Sequence, residues 1–244
     1  MTENPALVLE DVHLSFPRRQ GLRALIGGEH STDFLALKGI NLKVQRGEVL
    51  GVIGRNGSGK STLLRVVAGI YSPDQGSAQA HGRVSLLAGL GTGFAGHLTG
   101  RENAMLYGSI LGRTKEEMLQ LMDGIIDFSE LKDFIDEPLR TYSSGMRARL
   151  GLAVVSALDP DILLIDEVLG VGDPVFKEKS KARILDMVKG AGTVVLVSHS
   201  FALMTSICDR IVHMKSGEID FIGLPTEAIA AYYRSEGIES EVGT

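Results

Sequence analysis

The chain has 244 residues, 44% of them hydrophobic, enough for one large folded domain or a domain with an inserted subdomain. Its formal net charge of −5 argues against a nucleic-acid partner, and its apolar runs are strand-sized rather than membrane-sized. The N-terminal residues MTENPALVLED lack the basic flank and apolar core of a signal peptide. We therefore expect a cytoplasmic protein.

The N-terminal segments are predicted to be strands. Residues 7–16 (LVLEDVHLSF) and 38–44 (KGINLKV) alternate between apolar and polar side chains, and a loop containing glycine and arginine separates them. We expect these strands to form the antiparallel part of the fold.

The stretch GRNGSGKST, residues 54–62, predicts a phosphate-binding loop. Its glycines fit the G-x-x-x-x-G-K-[ST] spacing, in which glycine lets backbone N–H groups approach a phosphate closely. A predicted strand (48–53) precedes it and a predicted helix (62–68) follows, as the motif requires. Lys60 would then reach the β- and γ-phosphates, and Ser61 would bind Mg²⁺. A glycine turn with an incidental lysine is the alternative. The predicted ATP-binding residues here are Gly54, Arg55, Asn56, Gly57, Ser58, Gly59, Lys60, Ser61 and Thr62.

A glycine-rich loop, residues 89–96, leads into a largely helical block, which predicts an inserted helical subdomain over about residues 89–158. Five glycines between residues 89 and 103 indicate a movable loop, in which Phe94 is available for a partner. A surface loop without a partner is the alternative.

The second half of the chain alternates strand-like and helix-like segments. The runs DILLID and TVVLVSH have the continuous apolar character of strands buried on both faces, and helical patterns cover residues 145–157 and 176–189. This order predicts an α/β fold with a mostly parallel sheet covered by helices. Cys208, the only cysteine, lies in the helical pattern FALMTSICDRI and is interpreted as a small buried apolar residue.

Two of these strands end in chemically active side chains. Asp166 and Glu167 follow ILLI at the edge where open α/β sheets bind ligands, so Asp166 is a candidate for Mg²⁺ and Glu167 for the general base. An acidic pair in a solvated turn is the alternative. His199 follows the next buried strand and is interpreted as a γ-phosphate sensor rather than a structural histidine.

With the segment TYSSGMRARLGLA, residues 141–153, the chain resembles an ATPase subunit of an ABC transporter, a P-loop NTPase fold. A helix N-terminus carrying serine is an anion site. In this family the segment completes the nucleotide site of the opposite subunit, which implies Ser143, Ser144, Gly145 and Met146. The resemblance also implies that Phe16 stacks on adenine, that Asp173 lies in a dimer-interface loop and that Phe94 couples to a membrane subunit. A core phenylalanine is the alternative for Phe16.

The form YSSGM replaces the usual LSGGQ and, with LGTGFAGHLTGREN and DEVLGVGDPVFKEK, resembles the branch that exports O-antigen, capsule or teichoic acid. One departure is the glutamine that most members carry after the strand following the phosphate-loop helix. Here no glutamine occurs between Gln79 and Gln120, and Ala88 or Gly89 stands nearest to its place. Mg²⁺ would then depend on Ser61, Asp166, phosphates and water.

The resemblance implies a homodimeric ATPase with ATP and Mg²⁺, bound to a polytopic membrane permease at the cytoplasmic face of the inner membrane. It would power export of a lipid-linked polysaccharide that it does not itself bind. We expect one nucleotide-binding domain over residues 1–235, a short tail over 236–244 and no carbohydrate-binding domain in this chain. The alternatives are an ABC ATPase for a lipid, drug or peptide, a soluble ABC regulator, and a P-loop kinase.

Overall fold

A computed structural model describes residues 4–17, 33–87, 94–166, 174–190 and 192–238. The chain divides into two compact units, one formed by residues 1–81 with 197–244 and the other by residues 82–196. Within the described ranges, no helix combines the length and apolar character needed to cross a bilayer.

The order of elements alternates strands and helices through most of the chain. In chain order these are β1 (Leu7–Phe16), β2 (Phe34–Val44), β3 (Val49–Ile53), α1 (Lys60–Val67), β4 (Gln75–Ala80), β5 (Val84–Leu87), α2 (Gly100–Ile110), α3 (Lys115–Ser129), a 3-10 turn (Leu139–Thr141), α4 (Ser144–Ala157), β6 (Ile162–Asp166), α5 (Pro174–Gly190), β7 (Thr193–Val197), α6 (Phe201–Ile207), β8 (Arg210–Lys215), β9 (Glu218–Gly223) and α7 (Pro225–Glu236).

The first unit contains an antiparallel sheet and a set of strands that supports the phosphate loop. Strand β1 lies between β2 and β4 and pairs antiparallel with both. Strand β3 pairs parallel with β8, from Leu50 opposite Arg210 to Ile53 opposite His213, and β9 returns antiparallel along β8. The phosphate loop therefore begins where β3 ends, at the carboxyl edge of parallel strands.

The second unit combines parallel strands with packed helices. Strand β5 pairs parallel with β6, and β7 lies on the other side of β6. Residues 162–165 are at most 1% exposed, as expected for a parallel strand covered on both faces. Helices α2, α3 and α4 bury one apolar cluster, which includes Met118, Ile125, Leu150 and Val154.

Capping boxes begin two of these helices. Thr99 accepts a hydrogen bond from the backbone N–H of Glu102, whose carboxylate accepts one from the Thr99 N–H, and Thr114 and Glu117 repeat the arrangement at α3. These hydrogen bonds lower the pKa of Glu102 and of Glu117. Both helices thus start at positions that local sequence can specify.

The α/β class with parallel strands and N-terminal antiparallel strands is confirmed, and β1 has the predicted bounds. The predicted helical pattern FALMTSICDRI is longer than the helix in the structure. Helix α6 ends at Ile207, and strand β8 already begins at Arg210. Cys208 is buried as expected, and burial raises the pKa of its thiol to about 12. Helix α7 continues to Glu236, and residues 239–244 of the predicted tail lie outside the described part of the chain.

Candidate functional site

The phosphate loop has the backbone conformation for which its glycines were expected. Gly54 has φ 149°, and a Cβ there would lie 2.2 Å from the carbonyl oxygen of Met214. Gly59 has φ 105°, and a Cβ would lie 2.8 Å from the carbonyl oxygen of Ala36. Since other residues rarely adopt such φ values, no other residue fits these two positions without strain. The loop shape is therefore encoded in the glycine spacing.

Lys60 lies across this loop with its ammonium group inside. The side chain is buried, and Nζ donates hydrogen bonds to the carbonyl oxygens of Gly54 (2.8 Å) and Arg55 (3.0 Å). The hydroxyl of Ser58 is also buried and, among the described residues, has no hydrogen-bond partner. A buried cation beside an unsatisfied hydroxyl and a helix N-terminus is a favourable environment for a phosphate group. The loop thus has the features of a phosphate-binding site.

The turn between β8 and β9, which the sequence analysis missed, is hydrogen-bonded to the phosphate loop. The N–H of Gly217 donates to the carbonyl oxygen of Ser58 (3.0 Å), and Gly217 accepts a hydrogen bond from the N–H of Lys38 (2.9 Å). Ser216 and Gly217 both have positive φ, the conformation of a tight hairpin turn between β8 and β9. The sequence does carry a signal for this turn, because a Ser-Gly pair stands between two strand-like runs.

His213 lies beside the loop but contributes no cation at neutral pH. It is 1% exposed and stands opposite Ile53 in the parallel pairing. Burial lowers its pKa, although Asp220, with Oδ2 3.1 Å from Nδ1, acts in the opposite direction.

Arg55 is, after Lys60, the second cation of the phosphate loop. Its side chain points outward, and its Nε lies 3.3 Å from a carboxylate oxygen of Glu236 in α7.

Phe16 ends β1 in the same unit as the phosphate loop and is half-buried rather than enclosed in the core. Its ring packs edge-to-face with Tyr71, with centroids 5.4 Å apart. The partly exposed ring is consistent with a stacking role, which remains a prediction.

His199, the predicted γ-phosphate sensor, belongs to the same unit as the phosphate loop. It follows β7 and is exposed.

Asp166 is the last residue of β6 and is half-buried, as expected for a carboxylate delivered to a sheet edge. The predicted base Glu167 and the predicted interface residue Asp173 lie outside the described residues, as do Ala88 and Gly89. Among the described residues, no group of three His, Cys, Asp or Glu could hold a metal ion by itself. A hydroxyl and one carboxylate with phosphate oxygens and water are the ligands that Mg²⁺ takes in nucleotide sites, so Ser61 and Asp166 fit it by donor type.

The segment 143–146 forms the exposed N-terminus of α4. Ser143 is the N-cap, and its hydroxyl accepts a hydrogen bond from the N–H of Met146 (3.2 Å). Ser143 to Met146 line a pocket of about 490 Å³ together with Glu130, Leu131, Phe134 and Arg149. Because the first N–H groups of a helix have no intrahelical acceptor, this open end can bind an anion.

Phe94 is more constrained than the glycine count predicted. Its ring packs edge-to-face on Tyr107 at 5.6 Å and lies partly buried against the helical core. The residues after it are held by Asn103, which is fully buried in the first turns of α2. The Asn103 amide donates to the carbonyl oxygens of Ala95, Leu98 and Thr99 and accepts from the N–H of Ala95, at 2.7 to 3.1 Å. Residues 95–99 are thus fixed to α2, and the sequence reading missed Asn103.

Comparison with known proteins gives the context for these sites. A family model described as ABC transporter matches residues 37–170. The chain is 46% identical over 241 residues to the O-antigen export system ATP-binding protein RfbB of Myxococcus xanthus, covering 93% of this chain and 55% of that protein. It is 47% identical over 199 residues to the RfbB protein of Klebsiella pneumoniae, covering 82% of this chain and 81% of that protein.

Similarity extends to the teichoic acids export ATP-binding protein TagH of Lactococcus lactis, at 41% identity over 212 residues, 86% of this chain and 45% of that protein. The chain therefore spans about half the length of the Myxococcus and Lactococcus relatives. Among solved structures, a dimeric post-hydrolysis state of the ATP-binding cassette MJ0796 bound to ADP and Pi aligns with a TM-score of 0.70 at 22% identity, over 90% of this chain and 98% of that one. This likeness supports the ATP-binding cassette fold.

Proposed function

Because this chain belongs to the ABC transporter family, we propose that it is the ATP-hydrolysing subunit of an exporter for a lipid-linked polysaccharide such as O-antigen, capsule or teichoic acid. The observation that carries the proposal is a complete phosphate loop on a chain whose relatives are named as export ATP-binding proteins of this kind. The subunit would act as a homodimer on a membrane permease at the cytoplasmic face.

In the proposed site, ATP lies between the phosphate loop of one copy and residues 143–146 of the other. Lys60 would exchange the carbonyls of Gly54 and Arg55 for β- and γ-phosphate oxygens, since a charged acceptor binds an ammonium group more strongly. The Ser143 hydroxyl and the first N–H groups of α4 would bind the γ-phosphate of the partner copy's nucleotide. The bound nucleotide would thereby close the dimer.

Hydrolysis would follow from side chains at the ends of β6 and β7. Glu167 would take a proton from the water that attacks the γ-phosphorus, the bond to the β-phosphate oxygen would break, and ADP and phosphate would result. His199 would donate a hydrogen bond to the γ-phosphate. This hydrogen bond would be lost when the γ-phosphate leaves, so His199 would sense its departure. Mg²⁺, held by Ser61 and Asp166, would offset the negative charge that develops on the phosphate oxygens. Separation of the two copies would then reset the transporter.

The decisive experiment is reconstitution of the chain with its permease, followed by measurement of ATP turnover with defined lipid-linked glycans. We expect a glycan of the exported class to stimulate turnover and to be transported in proportion to ATP consumed. Stimulation by a drug, peptide or simple lipid, with none of the glycans active, would replace the polysaccharide proposal by another ABC export function.

The same preparation tests Phe94 as a residue that couples hydrolysis to export. We expect Phe94→Ala to lower export per ATP about threefold or more, because an aromatic side chain at an interface contributes more than the methyl group that replaces it. ATP binding by the isolated chain should be unchanged. Leu224→Ala, at an apolar position that is 58% exposed, is the matched control. Normal export per ATP in the Phe94 variant would remove this side chain from the coupling surface.

A further inference from the structure

The loop between α1 and β4, residues 68–74, follows the helix that begins at Lys60 and is hydrogen-bonded to the end of β1. At its first end, the N–H groups of Ile70 and Tyr71 both donate to the carbonyl oxygen of Arg65 in the last turn of α1, at 2.9 and 3.2 Å. Tyr71 is therefore fixed to the helix that begins at Lys60. No step of the proposed function uses this loop.

The other end of the loop is fastened to β1 by Asp74. Its Oδ2 accepts hydrogen bonds from both the N–H and the hydroxyl of Ser15, each at 2.7 Å, and its own N–H donates to the carbonyl oxygen of His13 (2.8 Å). The Ser15 hydrogen bonds lower the pKa of Asp74, so the carboxylate is ionised at neutral pH. Pro73 fixes its own φ and restricts the residue before it, which stiffens the loop.

Between these two attachments, Tyr71 meets Phe16, the residue that follows Ser15. The ring planes cross at 73° with centroids 5.4 Å apart, the preferred edge-to-face arrangement. Such a contact covers at most one face of the Phe16 ring. Tyr71 therefore supports the ring without covering its opposite face. A stacked base needs that kind of platform, with a face available and an orientation already set.

We propose that Tyr71 and Asp74 are positioning residues that hold the Phe16 ring in place for the nucleotide base, at a fixed separation from the phosphate loop. This inference rests on the proposed ATP-binding function. Neither residue needs to touch the nucleotide, because both act through Phe16 and its neighbour Ser15. Phe16 is then tied, through Tyr71 and Asp74, to the chain segment that continues from the phosphate loop through α1, so that the base platform and the phosphate loop do not move independently.

The test separates base binding from phosphate binding by measuring the affinities of the isolated chain for ATP and for inorganic tripolyphosphate. Tyr71→Leu and Asp74→Ala are expected to weaken ATP binding about three- to tenfold and to leave tripolyphosphate binding unchanged. Tyr71→Phe, which keeps the ring, should bind ATP within about twofold of the wild type. Tyr107→Leu removes a similar edge-to-face pair in the other unit and should change neither affinity.

A double variant tests whether Tyr71 acts through Phe16. The combination of Tyr71→Leu with Phe16→Leu should lose no more ATP affinity than Phe16→Leu alone, since the ring to be positioned is already absent. Additive losses, equal losses for ATP and tripolyphosphate, or no loss in Tyr71→Leu would each overturn the inference. A wild-type chain that binds neither ligand would overturn the proposed ATP-binding function, and this inference with it.

Discussion

Replacing Lys60 by alanine is expected to weaken ATP binding by roughly ten- to a hundredfold and to abolish ATP-driven export. The reason is the position of the Lys60 ammonium group, which is buried in the loop and donates to the Gly54 and Arg55 carbonyls. In the proposed site, phosphate oxygens of ATP take the place of these carbonyls. A hydrogen bond to a charged partner contributes about 1.5–3 kcal/mol, which corresponds to this range of affinities. Lys60→Met should behave alike, because it keeps an unbranched side chain and removes the charge together with the N–H donors.

Titration calorimetry with ATP, together with turnover of the reconstituted transporter, measures both effects. Lys43→Ala removes an exposed lysine of β2 and serves as the control for the change in net charge. If the Lys60 variants bind and hydrolyse ATP as the wild type does, the phosphate-loop assignment is wrong.

Replacing Glu167 by glutamine is expected to lower ATP turnover by about a hundred- to ten-thousandfold while leaving ATP affinity nearly unchanged. The amide has the shape of the carboxylate but cannot accept the proton of the attacking water. Because hydrolysis is the proposed step that reopens the dimer, this variant should accumulate as an ATP-bound dimer, detectable by light scattering.

The control for this variant is Glu178→Gln, which makes the same chemical change at an exposed position on α5. It should hydrolyse ATP at the wild-type rate and should form no persistent dimer. Unimpaired turnover in Glu167→Gln would contradict its role as general base and would direct attention to other groups near the γ-phosphate.

The parts of the molecule that sequence predicted well are those specified by neighbours along the chain. Glycine spacing determines the loop at Gly54 and Gly59, and apolar alternation gave the bounds of β1. The burial of Cys208 also followed from its apolar surroundings. In each case the cause is a local steric requirement or a periodic pattern of burial.

The missed features depend on hydrogen bonds between segments that are distant in sequence or on one buried polar side chain. Gly217 supports Ser58 from 159 positions away along the chain, and Asp74 reaches Ser15 across 59 positions. Asn103 looks like an ordinary polar helix residue until its burial is known. The glycine count between residues 89 and 103 also ignores this side chain, whose hydrogen bonds hold residues 95–99 to α2.

The attachment of residues 95–99 to Asn103 has a mechanical consequence. A loop held to a helix by four hydrogen bonds to one buried side-chain amide cannot swing without carrying the helix along or breaking those bonds. Residues 95–99 would then move together with α2, so that a force applied to them would also turn the helix. Movement at this surface would reach the packed helices as a rigid rotation, with little lost to bending of the loop.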